Sequence, residues 1–342
     1  MTAALELHGI SKSYGDLHVL RDLDLRVERG AFMSILGRSG EGKTTLLRLI
    51  AGFEAPDAGS IRLGDRLVHD DGVHIPAERR RVGIVPQEAA LFPHLTAADN
   101  VAFGLHEWKP NRRYDRVCEL LDLVDMRTFA DYLPSQLSGG QQRRIALARA
   151  LAPNPDLVLL DEPFAALDSE MRRRLRDDVR NVLGKVGATA LLVTHDQEEA
   201  LSIADSVAIL RDGGIAQQDR PRAIYSTPAD LQLASFIGDS VVLDATIVDG
   251  KADTALGALQ LQSPVTDGAR GHVAIRPENL YLQPHADGDG VVVGRQYFGH
   301  DSLVEVALDT LTVYARTSSP ITPEKGARVS VWVRGPVSFF TA

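Results

Sequence analysis

The chain opens on an alternation of apolar and polar residues, Leu5-Glu6-Leu7-His8-Gly9-Ile10. A period of two marks a half-buried strand. From there to about residue 237, short apolar runs alternate with longer stretches of helical spacing. Phe32 to Leu36 reads as a short strand that runs into a glycine-rich loop, and Thr44 to Ala51 continues as an apolar helix. Leu157 to Leu160 and Ala188 to Thr194 are continuously apolar, the pattern of strands buried on both faces. Gly139 to Ala152 and Ser169 to Val186 have helical spacing, and Pro153 and Pro155 bracket the loop before Leu157. Strands interleaved with helices predict an α/β domain.

The texture changes after Gly238. No long helical pattern follows, and short β-branched runs recur at 291–293, 303–306, 311–314 and 329–333. Gly and Asp clusters such as Asp287-Gly288-Asp289-Gly290 separate them. This predicts a small antiparallel barrel or sandwich. The expected division is therefore 1–238 as an α/β domain and 239–342 as a β-rich one.

The length of 342 residues fits that division, at ~150 residues per domain. Lys and Arg number 37 against 46 Asp and Glu, a net charge of -9. Such a balance argues against general nucleic-acid binding, which depends on neutralising phosphates. The runs Arg79-Arg80-Arg81 and Arg172-Arg173-Arg174 read as solvated faces. The one cysteine, Cys118, has helical surroundings and reads as a buried thiol. It can form no disulfide within the chain, which suits a reducing cytoplasm. No charged-then-apolar leader opens the chain and no apolar run approaches the ~20 residues that span a bilayer. A soluble chain is expected, serving a membrane only through a partner.

Residues 37–45 read Gly-Arg-Ser-Gly-Glu-Gly-Lys-Thr-Thr and fit G-x-x-x-x-G-K-[ST] at Gly37, Gly42, Lys43 and Thr44. Glycines let the backbone wrap phosphate oxygens closely, and the following helix adds its N-terminal partial charge. Gly37, Arg38, Ser39, Gly40, Glu41, Gly42, Lys43, Thr44 and Thr45 are the expected nucleotide-binding loop. Lys43 is expected on the β- and γ-phosphates of ATP and Thr44 on Mg²⁺. Glu41 is an unusual neighbour for phosphates and is expected to point outward. Asp161 ends the 157–160 run, where open parallel sheets place ligands, and is expected to hold Mg²⁺. Glu162 is expected at the attacking water. Ser138, before Gly139-Gly140-Gln141, can cap a helix whose N-terminus stays open to an anion. With one ATP loop already present, this second anion site suggests contact from another subunit.

Together Gly37–Thr45, Leu137-Ser138-Gly139-Gly140-Gln141 and Asp161-Glu162 closely resemble the ATP-binding cassette (ABC) ATPases. The resemblance implies an α/β P-loop fold followed by an all-β, TOBE-type regulatory domain. It assigns Gln87 as a γ-phosphate sensor that also touches Mg²⁺ and couples to a permease. It assigns Asp168 to the D-loop, His195 to the γ-phosphate and Tyr14 to adenine stacking. Ile275-Arg276-Pro277-Glu278-Asn279 resembles a short motif of TOBE-type domains. The implied protein is the ATPase of a binding-protein-dependent importer: a homodimer bound through a membrane permease to the cytoplasmic face, working indirectly with a solute-binding protein. The stretch from Val85 to Thr96 is most similar to ferric-iron importers, with polyamine, sulfate, phosphonate and sugar importers close behind. A non-transport ABC ATPase is the rival from another class. The segment Glu88 to Leu95 is expected to receive the permease.

Overall fold

The computed structural model describes residues 3–165, 167–309, 311–318 and 322–341. Ala166, in the expected D-loop, lies outside them. The chain forms two compact units, Met1–Pro221 and Arg222–Ala342.

The first unit begins with β1 (Ala3–Tyr14), β2 (Leu17–Glu28) and β3 (Phe32–Leu36), then α1 (Lys43–Ala51). A meander follows in β4 (Ala58–Leu63), β5 (Arg66–Asp70) and β6 (Val73–His74), leading to β7 (Val82–Val85). Three helices come next, α2 (Ala97–Ala102), α3 (Pro110–Leu123) and α4 (Gly139–Leu151). The unit closes with β8 (Leu157–Asp161), α5 (Ser169–Lys185), β9 (Ala190–Thr194), α6 (Gln197–Ile203), β10 (Ser206–Arg211) and β11 (Gly214–Asp219). Strands β2-β1-β4-β5-β6 make an antiparallel sheet. A second sheet has the order β11-β10-β3-β9-β8-β7 and is parallel from β10 to β7.

The apolar runs explain how the parallel sheet is covered. Successive residues of a strand point to opposite faces. Val158 and Leu160 join a cluster with α2 to α5, while Leu157 and Leu159 join another with α1 and the antiparallel sheet. On β9, Leu192 faces the first cluster, and Leu191 and Val193 face the second. Cys118, expected to be buried, is half-buried on α3.

The structure corrects the reading of Arg79-Arg80-Arg81 as a solvated run at Arg80 alone, since Arg79 and Arg81 are exposed. Arg80 is 0% exposed. Its Nε donates to the Ile75 carbonyl at 2.6 Å, and its Nη1 donates to the carbonyls of Leu49 (2.7 Å) and Ile50 (3.0 Å). The last carbonyls of α1 carry partial negative charge and are incompletely paired within the helix, so a cation there answers both needs. Burial lowers the guanidinium pKa to about 10. Gly52 ends α1 at φ 87, and a Cβ there would lie 2.4 Å from Arg80 Nε.

The second unit starts inside α7 (Pro221–Ser226) and continues with α8 (Leu231–Ile237), then ten strands. These are β12 (Val241–Val248), β13 (Lys251–Thr254), β14 (Gly257–Gln260), β15 (Arg270–Ile275) and β16 (Leu280–Pro284), followed by β17 (Gly290–Tyr297), β18 (Asp301–Ala307), β19 (Thr312–Ser318), β20 (Arg328–Val333) and β21 (Ser338–Thr341). They form two antiparallel sheets, β14-β13-β12-β15-β21 and β16-β20-β17-β18-β19, around one apolar cluster. The all-β texture thus begins at Val241, near the expected seam, while the compact unit begins earlier, at Arg222. Arg276 supplies the reason. Its Nη1 donates to the carbonyls of Ala234 and Gly238, both at 2.8 Å, and its Nη2 donates to the Tyr225 carbonyl at 3.0 Å. The Tyr225 hydroxyl donates to Glu278 at 2.6 Å. Arg276 and Glu278 of the 275–279 motif therefore fasten α7 and α8 to the strands.

Arg80→Met should remove the side-chain donor from the Ile75, Leu49 and Ile50 carbonyls and destabilise the first unit by about 1–3 kcal/mol. Arg81→Met, at an exposed neighbour, should stay within about 0.5 kcal/mol of the parent. Urea midpoints compare them, and an unchanged midpoint for Arg80→Met would reject this role.

Candidate functional site

Four neighbouring parallel strands, β3, β9, β8 and β7, end on one edge of the sheet. Their registers pair Leu36 with Thr194, Val193 with Asp161, and Leu160 with Val85. The residues just beyond these ends are the glycine loop, His195, Glu162 and Pro86-Gln87. Strand order alone thus gathers residues from four distant parts of the chain.

The glycine loop closes on Gly42, at φ 95, as the N-cap of α1. A Cβ on Gly42 would lie 2.8 Å from Val19 Cγ1, so the position admits only glycine without rearrangement. Lys43 is 5% exposed, and its Nζ donates to the carbonyls of Gly37 (2.8 Å) and Arg38 (2.9 Å). Burial lowers its pKa, opposed by the charges of Glu162, Glu41 and Asp161. Arg38, Ser39, Gly40 and Thr44 are exposed, and Thr45 is half-buried. Glu41 accepts a hydrogen bond from the Asp212 amide at 2.9 Å. That contact holds its carboxylate on the β10–β11 turn.

Asp161 is half-buried, and burial, then the Glu162 charge, raises its pKa while Lys43 lowers it. Glu162 has φ 43, and its amide donates to the Val193 carbonyl at 3.0 Å. A left-handed non-glycine residue costs roughly 1–2 kcal/mol. The turn aims Glu162 back along the edge, where Oε1 lies 3.0 Å from His195 Nδ1. Tyr14, at the end of β1, is 46% exposed, so its ring is open to a planar partner. Its hydroxyl donates to Glu54, and Lys12 Nζ stands 5.6 Å from the ring centroid.

Ser138 and Gln141 form a reciprocal cap on α4. The Ser138 amide donates to Gln141 Oε1 at 2.8 Å, and the Gln141 amide donates to Ser138 Oγ at 3.3 Å. Gly139 is exposed and Gly140 half-buried. Asp168 caps α5 by accepting from the Met171 amide at 2.9 Å. Arg143 of α4 donates to the Ala165 carbonyl at 2.9 Å, joining these two caps into a second group.

A family model described as ABC transporter matches residues 20–165, and one described as TOBE domain matches 273–337. The Fe(3+) ions import ATP-binding protein FbpC 1 of Rhodococcus jostii (strain RHA1) is 47% identical over 352 positions, covering 100% of both chains. The chain belongs to the ABC transporter family. The Fe(3+) ions import ATP-binding protein FbpC of Serratia marcescens is 42% identical over 99% of each chain. Among solved structures, the dimeric post-hydrolysis state of the ATP-binding cassette MJ0796 bound to ADP and Pi has TM-score 0.55 and 33% identity. It covers 64% of this chain and 99% of its own. CbiO1 from Clostridium perfringens, part of an ABC transporter complex, has TM-score 0.60 and 25% identity over 66% and 91%.

In this ABC ATPase the structure also shows residues that the sequence reading missed. Glu199, on α6, is 4% exposed; its carboxylate accepts from Thr194 Oγ1 at 2.6 Å, and burial raises its pKa. Arg172 was expected on a solvated face. It is instead half-buried, donating to Asp196 Oδ2 at 3.2 Å and to the Leu167 carbonyl at 3.1 Å. A signal was present: Asp196 and Glu199 have the cap-and-third-residue spacing of a helix start, and Arg172 stands one turn past Asp168.

Lys43→Ala should abolish ATP binding by the monomer. Ser138→Arg should spare that binding and block ATP-dependent pairing, because the new side chain fills the open end of α4. Fluorescent-nucleotide titration and size-exclusion chromatography read the two effects. Equal loss of binding in both variants contradicts a shared, two-subunit site.

Proposed function

We propose that this chain is the ATP-hydrolysing subunit of an ABC importer for ferric iron, working as a homodimer under a membrane permease. The observation that carries the chemistry is the 3.0 Å contact of His195 with Glu162 beside the buried Lys43. Lys43, the loop amides and the start of α1 bind the β- and γ-phosphates. Glu162 takes the proton of the attacking water as its oxygen bonds to the γ-phosphorus and the bond to ADP breaks. His195 holds Glu162 and reaches the γ-phosphate, and Gln87 senses the same group. Thr44, Asp161 and Gln87 offer oxygen donors suited to Mg²⁺. The raised pKa of Asp161 fits a cation near two adjacent carboxylates. When bound, Mg²⁺ supplies charge neutralisation on the phosphates. Tyr14 stacks on adenine, and Ser138 to Gln141 with Asp168 complete the partner's site.

Among the described residues no helix is long and apolar enough to cross a membrane. Attachment to the cytoplasmic face therefore falls to the permease, with a solute-binding protein acting beyond it. The segment after Gln87 is built to transmit. Arg149 of α4 donates to the carbonyls of Ala90 (2.8 Å) and Ala89 (3.1 Å), and Asn100 of α2 accepts from the Phe92 amide at 2.8 Å. Leu91 is half-buried against the core, whereas Phe92 packs on Phe103, which is 53% exposed. Phe103 is thus the better permease anchor. The ferric-iron reading rests on the names of the full-length relatives and on the Val85–Thr96 stretch.

Glu162→Gln should bind ATP yet hydrolyse it ~10²–10⁴-fold more slowly, accumulating as an ATP-bound dimer. Near-normal turnover sinks the assignment. The solute is tested by the permease and binding protein that co-purify: reconstituted with them, ATP should drive uptake of ferric iron, and uptake of a polyamine or sulfate instead replaces that solute.

A further inference from the structure

One guanidinium joins two parts of the site that are far apart in sequence. Arg172 stands in the first turn of α5, just after Asp168. Its Nη2 holds the Leu167 carbonyl and its Nη1 holds Asp196, the residue after His195. Its Nε is buried with no hydrogen-bond partner among the described residues, 3.9 Å from Glu199 Oε1. Asp196 is fixed in turn. It caps α6 by accepting from the Glu199 amide at 3.0 Å, and its own amide donates to Thr194 Oγ1 at 3.0 Å. The same Thr194 hydroxyl donates to the buried Glu199 carboxylate. His195 is flanked on both sides by this network, and beyond it stands Glu162.

A guanidinium is a planar fork whose donors cannot move independently. A shift of the Leu167–Asp168 segment therefore carries to Asp196, and from there to the direction of the His195 ring. We propose that Arg172 is a positioning residue, through which the Leu167–Asp168 segment sets the orientation of His195 toward Glu162. The proposal rests on the roles given above to His195 and Glu162. A purely structural tie between α5 and α6 is the competing role, and it predicts lost stability without lost chemistry.

The test is steady-state ATP hydrolysis by the full-length protein with Mg²⁺, over a range of ATP concentrations, beside thermal unfolding. Arg172→Met keeps the stem and removes the fork. It should lower kcat about 10–100-fold while KM for ATP stays within about twofold, the pattern of an interaction made only in the transition state. Arg172→Lys keeps charge and packing but has one donor centre for two acceptors. It should retain the unfolding midpoint and still lose most of kcat. Asp196→Asn keeps an N-cap side chain and loses the ion pair. It should lower kcat similarly, with no further loss when combined with Arg172→Lys. Full turnover in Arg172→Lys, additive losses in the double variant, or a lowered midpoint with unchanged kcat each overturn the proposal. A parent protein that hydrolyses no ATP, or a Glu162→Gln variant that turns over normally, overturns the site's reading instead.

Discussion

The parallel sheet is covered on both faces, and the rest of the first unit follows from that. Helices α2 to α5 bury one side of β8 and β9, while α1 and the antiparallel sheet bury the other. A strand so enclosed meets polar ligands only at its ends. The carboxyl ends of β3, β9, β8 and β7 lie in register and carry the glycine loop, His195, the acid pair and Gln87. Burial acts on both signs of charge there. It lowers the pKa of Lys43 and raises that of Asp161, so each charged form leans on the other.

Arginine forks join backbone segments throughout the molecule. Arg80 takes the last carbonyls of α1, and Arg116 takes the Leu151 and Ala152 carbonyls at the end of α4. Arg276 takes those of α8, and Arg172 bridges Leu167 and Asp196. Helix C-termini leave carbonyls without partners. A long side chain with several fixed donors can satisfy them from another element.

Much of the site was legible because its motifs are local. Gly37–Thr44, Ser138–Gln141 and Asp161-Glu162 are contiguous, and the strand–loop–helix order around them has the period of each element. Each arginine run misled at one residue, Arg80 and Arg172, while their neighbours are exposed as read. Charge runs are read as solvated because burying a charge is costly; backbone carbonyls offset that cost at Arg80, and the Leu167 carbonyl with the Asp196 carboxylate offsets it at Arg172. Glu199 was hidden similarly, since its donor Thr194 ends an apolar strand. The seam between units was read from a change of texture after Gly238, whereas packing is set by Arg276, far downstream. Glu41 did turn aside, onto the Asp212 amide, a contact that only the β10–β11 turn makes available.

The bonds of Arg276 bear on how the chain can be dissected. Ile224, Leu233 and Ile237 are each no more than 1% exposed, inside the unit that begins at Arg222. Cutting at residue 240, where the β-rich texture starts, would strip these helices of their β-sheet cover and leave a sticky apolar stub on the cassette. The natural place for scissors, or for grafting the cassette onto another regulatory module, is the end of β11, where Asp219 and the following Arg220 are both exposed. Exchange between relatives that keeps α7 and α8 with their own strands preserves every contact of that arginine.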